Sequence, residues 1–197
     1  MAREATLVII KPDAIQRGLV GAVLTRLEAL QLDVIGAKAM RVSERLAIEQ
    51  YKHLRGQPFF NELVEYLQGK LHGTTYVLAL VLWGERAIER VRQLAGATNP
   101  EQADSTSIRG ALGRMTTAGV MENVLHASSD TAEAAREIRL WFRPEELLRS
   151  LDPSTRPADG GTRSGCRPTP VEGSSRAKSR DLPGGLHGRR ATTPTRS

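Results

Sequence analysis

Three observations predict an α/β fold for residues 1–151. Short apolar runs suited to strands, such as Thr6–Ile10 and Tyr76–Trp83, alternate with stretches whose apolar residues recur at helical spacing. Turn signals rich in Gly and Pro separate these stretches. About 150 residues are also enough to enclose a substantial interior.

Each element follows from a local pattern. Thr6–Ile10 reads as a buried strand that stops at the turn signal Lys11-Pro12-Asp13. Leu19, Val20, Val23, Leu24, Leu27 and Leu30 then repeat as on one helix face, and Leu32–Met40 reads as a second strand. Ser43 is placed to cap a helix running through Leu54. Gly56-Gln57-Pro58 breaks that helix, and Phe60–Leu67 begins another. The apolar Tyr76–Trp83 strand leads into a helix from Glu85 to about Leu94. Gly96–Gly119 reads as loop-rich, Asn123–Ala127 as a last short strand, and Thr131–Phe142 as a last helix with Ile138 and Phe142 on one face.

The composition changes at Leu151. Beyond it there is no Phe, Trp, Tyr, Ile or Met, and Gly, Pro, Ser and Arg supply 27 of the 46 residues. Such a segment buries too little apolar surface to offset its ordering entropy, so residues 152–197 are expected to be a disordered, passive tail. The net charge of +6 lies mostly there: residues 1–151 carry 19 Lys and Arg against 18 Asp and Glu. A nearly balanced domain has no electrostatic footprint for nucleic acid, and no such partner is expected. No apolar run approaches the roughly 20 residues of a membrane span. The apolar N-terminal run ends at Lys11-Pro12-Asp13 without a small-residue cleavage site, and Cys166 is the single cysteine. Both point to a cytoplasmic protein.

The chain has none of the usual phosphate-loop, zinc-protease or nucleophile-elbow motifs; its Gly69-Lys70 pair is followed by Leu71. What remains is a set of single polar residues at predicted strand ends and in loops: Lys11, Tyr51, Arg92, Thr98, Arg109, Asn123 and His126. Lysine and arginine neutralise phosphate oxygens, and hydroxyls donate to them. Each residue taken singly has an ordinary alternative: a solvated charge, a loop salt bridge, a hydrogen-bonded core histidine.

Their order, however, matches a family. Residues Thr6–Gly21 resemble the opening of nucleoside diphosphate kinases almost residue for residue, and Arg55–Phe60 resembles the family's base-binding segment. Gly96–Pro100 and Ser107–Gly110 follow at the family's spacing, Asn123–Ser128 is similar to its active-site signature, and Glu137–Phe142 to its closing helix. The resemblance covers residues 4–149.

It implies a ferredoxin-like α/β sandwich, four antiparallel strands with helices covering one face and further helices inserted between strands. The implied reaction is ATP + NDP ⇌ ADP + NTP by a ping-pong route; an inactive homologue serving as a nucleotide-binding scaffold is the alternative. By resemblance His126 is the nucleophile, with Ser128 and Glu137 orienting its ring. Lys11, Tyr51, Arg92, Thr98 and Arg109 grip phosphates, Asn123 and Lys11 meet ribose hydroxyls, and Phe59 stacks on the base while Phe60 stays in the core. Magnesium, held chiefly by nucleotide phosphates and water, completes the site. A homo-oligomer is implied, a hexamer over a tetramer, because the Thr98-Asn99-Pro100 loop resembles the one that packs around the family's trimer axis.

The chain also departs from the family. Ser129 stands where Asp is usual, with Asp130 one residue later, and Ala111 stands where an acidic residue is common. Two segments are longer than usual, about Gln68–Thr74 and Gly113–Met121. Of the other histidines, His53 falls on a predicted helix, His72 in a longer segment and His187 in the tail, and none is expected to matter for chemistry.

Overall fold

Leu7, Val8, Ile9 and Ile10 are all fully buried. Successive strand side chains point to opposite faces, so a run apolar at every position needs cover on both. That run is the second half of β1 (Arg3–Ile10), and the rest of the fold supplies the cover. The computed structural model describes residues 3–151; the expected tail, 152–197, lies outside them.

After β1 come α1 (Pro12–Gln16), α2 (Val20–Glu28), β2 (Asp33–Met40), α3 (Glu44–Gln50) and α4 (Phe60–Leu67). Then follow β3 (Val77–Glu85), α5 (Ala87–Ala95), α6 (Ile108–Leu112), the short β4 (Arg114–Met115) and β5 (Met121–Glu122), β6 (Leu125–Ala127) and α7 (Thr131–Trp141). The main sheet has the order β2-β3-β1-β6 with every pairing antiparallel, which is the expected ferredoxin-like arrangement. Strands β4 and β5 form a separate hairpin.

The two faces have separate cores. On one, Val8, Ile10, Leu80 and Leu82 meet Val23 and Leu27 of α2, Val91 and Ala95 of α5, and Ile108 of α6. On the other, Leu7, Ile9, Val77, Ala79 and Val81 meet Ala47, Val64 and Leu67 from α3 and α4, and Ile138 and Trp141 of α7. The helices expected on one face are thus α2 and α5. Those inserted between β2 and β3, together with α7, close the second face.

Local differences from the sequence expectations have local causes. Ser43 caps α3, its hydroxyl accepting from the Leu46 N–H at 3.2 Å, but the helix stops at Gln50. Tyr51 leaves helical geometry at φ −104°, ψ 20°, and Lys52–Leu54 is a single 3-10 turn. The loop-rich stretch after Gly96 contains α6 and the hairpin, both too short to show a period. In the last strand, Asn123 and Val124 are not paired; Val124 has φ +69° and the Leu125 N–H reaches the Asn123 carbonyl at 2.7 Å. That is a γ-turn of the strained, positive-φ kind, rare for a β-branched residue.

The α6 region is packed too tightly for side chains at its glycines. A Cβ on Gly110 would lie 2.0 Å from the Asp104 carbonyl oxygen, whereas one on Gly21, inside α2, meets nothing within 4 Å. Gly110→Ala is therefore expected to destabilise by about 1–3 kcal/mol. Gly21→Ala should be neutral or stabilise by up to about 1 kcal/mol from helix propensity alone. Thermal unfolding of the two variants beside the parent chain tests the contrast; equal melting temperatures would refute it.

Candidate active site

His126 is the central residue of β6, set opposite Ile9 of β1. Its side chain keeps about 17% exposure, while Glu137, delivered by α7, keeps 2%. The His126 Nε2 lies 2.9 Å from Glu137 Oε1. The second carboxylate oxygen accepts from the Ser128 hydroxyl at 2.6 Å, and that hydroxyl in turn accepts from the Leu7 N–H at 3.1 Å. Ser128 therefore locks the carboxylate to β1, and the carboxylate holds the ring.

Gln50 completes the arrangement. Its Nε2 donates to Glu137 Oε1 at 2.6 Å and its Oε1 accepts from the Trp141 indole N–H at 2.6 Å. Its Nε2 also comes within 3.3 Å of His126 Nε2. With His126 Nε2–H donating to the carboxylate, that approach is a contact without a shared proton. Burial pushes the Glu137 carboxyl up, but the hydrogen bond and charge of His126 and the bonds from Ser128 and Gln50 more than offset it. The group stays below the usual glutamate range and ionised at neutral pH.

The cations gather beside this chain. Lys11 follows β1 directly and is buried; its ammonium donates to Asn123 Oδ1 at 2.7 Å and lies 5.1 Å from the centre of the Tyr66 ring. Asn123 Nδ2 donates to the Thr98 carbonyl at 3.0 Å. Arg109, in α6, donates to the carbonyls of Gly96 at 2.7 Å and Leu125 at 3.0 Å, tying the loop after α5 to the strand of His126. Burial and then the Arg109 charge bring the Lys11 ammonium down to about 7, against an opposing pull from Asp13. Burial and then the Arg92 charge bring Arg109 down to about 10. Arg92 itself is exposed near the end of α5. Cations depressed by their neighbours in this way are relieved by an anion.

Several buried polar atoms here have no protein partner, among them Tyr51 OH, Tyr66 OH and Arg109 Nε. Burial and the Glu137 charge raise the Tyr51 phenol above its usual range. Phe59 is half exposed at the start of α4, while Phe60 packs against the core. Thr98 contributes its carbonyl to these contacts, and its side chain faces solvent. A cleft of about 330 Å³ along α3 and α4, lined by Ile48, Phe60 and Val64, contains neither His126 nor Lys11, Tyr51, Phe59, Thr98 or Arg109.

Sequence reasoning missed Gln50, Asp13 and Tyr66. Gln50 shares the buried face of α3 with Ala47, so a polar residue at an inward helical position was the available signal. Asp13 read as part of a turn, yet its Oδ2 accepts from the Val124 N–H at 3.0 Å and steadies the turn before His126. Ser129 takes part in the start of α7. Its hydroxyl donates to Asp130 Oδ2, and Asp130 Oδ1 caps α7 by accepting from the Glu133 N–H.

The sequence profile of the family described as nucleoside diphosphate kinase matches residues 4–147. The chain belongs to that family. The nucleoside diphosphate kinase of Bacillus licheniformis is 45% identical over 145 residues, covering 74% of this chain and 92% of its own. That of Pyrococcus horikoshii is 43% identical, covering 74% and 88%. Among solved structures, the halophilic nucleoside diphosphate kinase of Halobacterium salinarum in complex with CDP superposes with TM-score 0.68 at 38% identity, covering 78% of this chain and 97% of that one. The transition-state mimic of the Borrelia burgdorferi enzyme, with vanadate and ADP bound, gives 0.67 at 33% identity, covering 75% and 92%.

Within this nucleoside diphosphate kinase fold, the Glu137 contact selects the tautomer of His126. The neutral ring is expected to carry its proton on Nε2, leaving Nδ1 as the basic nitrogen. Long-range ¹⁵N–¹H correlation of the imidazole at pH 8 distinguishes the two forms. A ring protonated on Nδ1 would contradict the hydrogen bonding described.

Proposed function

We propose that this member of the family transfers the terminal phosphate of ATP to nucleoside diphosphates, with His126 Nδ1 as the intermediate acceptor. The observation that carries this reading is the Ser128–Glu137–His126 chain standing beside the cations Lys11 and Arg109, each depressed by burial and by a neighbouring guanidinium. The Nδ1 lone pair attacks the γ-phosphorus, the bond to the bridging oxygen breaks, and ADP leaves with the electron pair. The ring becomes cationic while keeping its Nε2 proton, and the ionised Glu137 offsets that charge. A terminal phosphate oxygen of the acceptor diphosphate then attacks the phosphorus, and the Nδ1–P bond breaks.

The remaining residues bind and orient. Lys11, Arg92 and Arg109 neutralise phosphate oxygens, with the Tyr51 and Thr98 hydroxyls as donors, and Asn123 with Lys11 meets the ribose. Phe59 offers a stacking face that accepts any base, which fits relatives solved with CDP and with ADP. Weak base selectivity follows. Among the described residues no three His, Cys, Asp or Glu side chains stand together as a metal cage. Magnesium carried by nucleotide phosphates and water belongs to the same reading, where it would neutralise phosphate charge.

The domain boundary at Leu151, a cytoplasmic location and a homo-oligomer, a hexamer over a tetramer, belong to the same proposal. Among the described residues no helix is long and apolar enough to cross a membrane. The edge strand β2, with Val34 half exposed, supports assembly through further surfaces.

Two measurements test the reading. His126→Ala is expected to abolish both transfer and γ-phosphate labelling of the protein while nucleotide still binds, a loss of several orders of magnitude in rate. Controls with His53→Ala and His187→Ala should label normally; labelling of His126→Ala would refute the mechanism.

The second follows from Lys11. With its ammonium near 7 in the free protein, Lys11 is mostly neutral at pH 8, and bound phosphates raise its affinity for a proton. ADP binding at pH 8 should therefore take up a proton, up to about one per site, and uptake should fade below pH 6. Calorimetry in buffers of different ionisation enthalpy reads this directly. A Lys11→Met variant with undiminished uptake would assign the proton elsewhere.

A further inference from the structure

His72 places Nε2 3.2 Å from Oε1 of Glu122, and both side chains are almost wholly buried. His72 Nδ1 is buried without a partner, so the Nε2–H tautomer is the donor to the carboxylate. The other Glu122 oxygen accepts from Arg114 Nε at 2.6 Å, with Arg17 3.9 Å away. The Arg114 side chain is about half exposed, so water screens that ion pair. Burial pushes the Glu122 carboxyl up, but the bonds from Arg114 and His72 hold it below the usual range.

Glu122 is followed directly by Asn123, whose carboxamide holds the Lys11 ammonium and the Thr98 carbonyl. Next comes Val124, whose positive φ survives only if both flanks are fixed. On its own atoms the turn is held by Asp13 and by the Lys11 N–H, and upstream by Glu122. The His72 ring is itself packed edge-on against Tyr66 at 4.9 Å between centroids.

We propose that His72 is a positioning residue for the nucleotide. Through Glu122 it fixes Asn123, and through Asn123 the Lys11 ammonium. The inference rests on the reading of Lys11 and Asn123 as nucleotide contacts. It differs from a fold-stabilising role because its effect must pass through Asn123, and His72 touches neither the phosphate nor His126.

The test is a set of ADP dissociation constants by calorimetry, with steady-state kinetics and γ-phosphate labelling alongside, for the full chain. His72→Ala is expected to weaken ADP binding and raise KM by about tenfold while kcat falls less than about threefold and labelling at saturating ATP reaches the parental level. His72→Gln, which can still donate to the carboxylate, should recover most of the affinity. In an Asn123→Ala background, His72→Ala should add less than about twofold, the signature of residues acting in one chain. Unchanged ADP affinity in His72→Ala overturns the proposal. So does an undiminished effect in the Asn123→Ala background, and so does a loss of binding that tracks melting temperature and is not recovered by glutamine. A parent chain that binds ADP but never turns over would instead sink the proposed activity and leave this inference standing on the affinities.

Discussion

A carboxylate buried to the extent of Glu137 is tolerated only when its oxygens are fully engaged, and meeting that demand shapes the centre of the molecule. Ser128 fixes one oxygen and is itself fixed by the backbone of β1. Gln50 and His126 share the other, and Gln50 is held in turn by the Trp141 indole. Arg136, the neighbour of Glu137, donates to the carbonyls of Glu49 and Gln50 and so clamps the end of α3 to α7. One buried charge thereby links α3, α7, β1 and β6, and the orientation of the imidazole is a by-product of satisfying it. A half-satisfied network of this kind would be worse than an apolar core, which ties the identity of each member to the others.

The second constraint has the opposite sign. Lys11 is buried and Arg109 partly buried, both with few acceptors, and each is depressed first by loss of solvent and then by a neighbouring guanidinium. The protein side supplies backbone carbonyls and one carboxamide as acceptors, and several donors have none at all. Asp13 opposes the depression of Lys11 but does not cancel it, so the cluster favours an anion. Folding tolerates this because the two-faced apolar sheet beneath, with β1 at its middle, is rigid enough to hold the cations together.

Much of the fold was legible in the sequence because β3 and the second half of β1 form continuous apolar runs, and because the α2 repeat and the Ser43 cap are strong local signals. The short elements were not legible: α6 spans five residues and the β4–β5 hairpin two per strand, below the length at which any period shows. Individual site residues could be named only through the ordered family resemblance, since Lys11, Arg109 and His126 each had an ordinary alternative. Even that route passed over Gln50 and Asp13. Their importance lies in buried hydrogen bonds to residues 87 and 111 positions away, and no local pattern encodes such partners. His72 read as an inserted-loop residue for the same reason, because its partner is 50 positions distant.

The left-handed valine at position 124 sets stability against geometry. A glycine or asparagine would adopt that backbone at lower cost, so selection for heat resistance alone would be drawn to this position early. Relaxing the turn would also free the residues on either side of it, one of which holds the lysine and the other of which leads into the histidine strand. A lineage that keeps valine there accepts a local weakness in exchange for a narrow range of approach angles, and thermostabilised descendants would be expected to find their gains elsewhere in the chain.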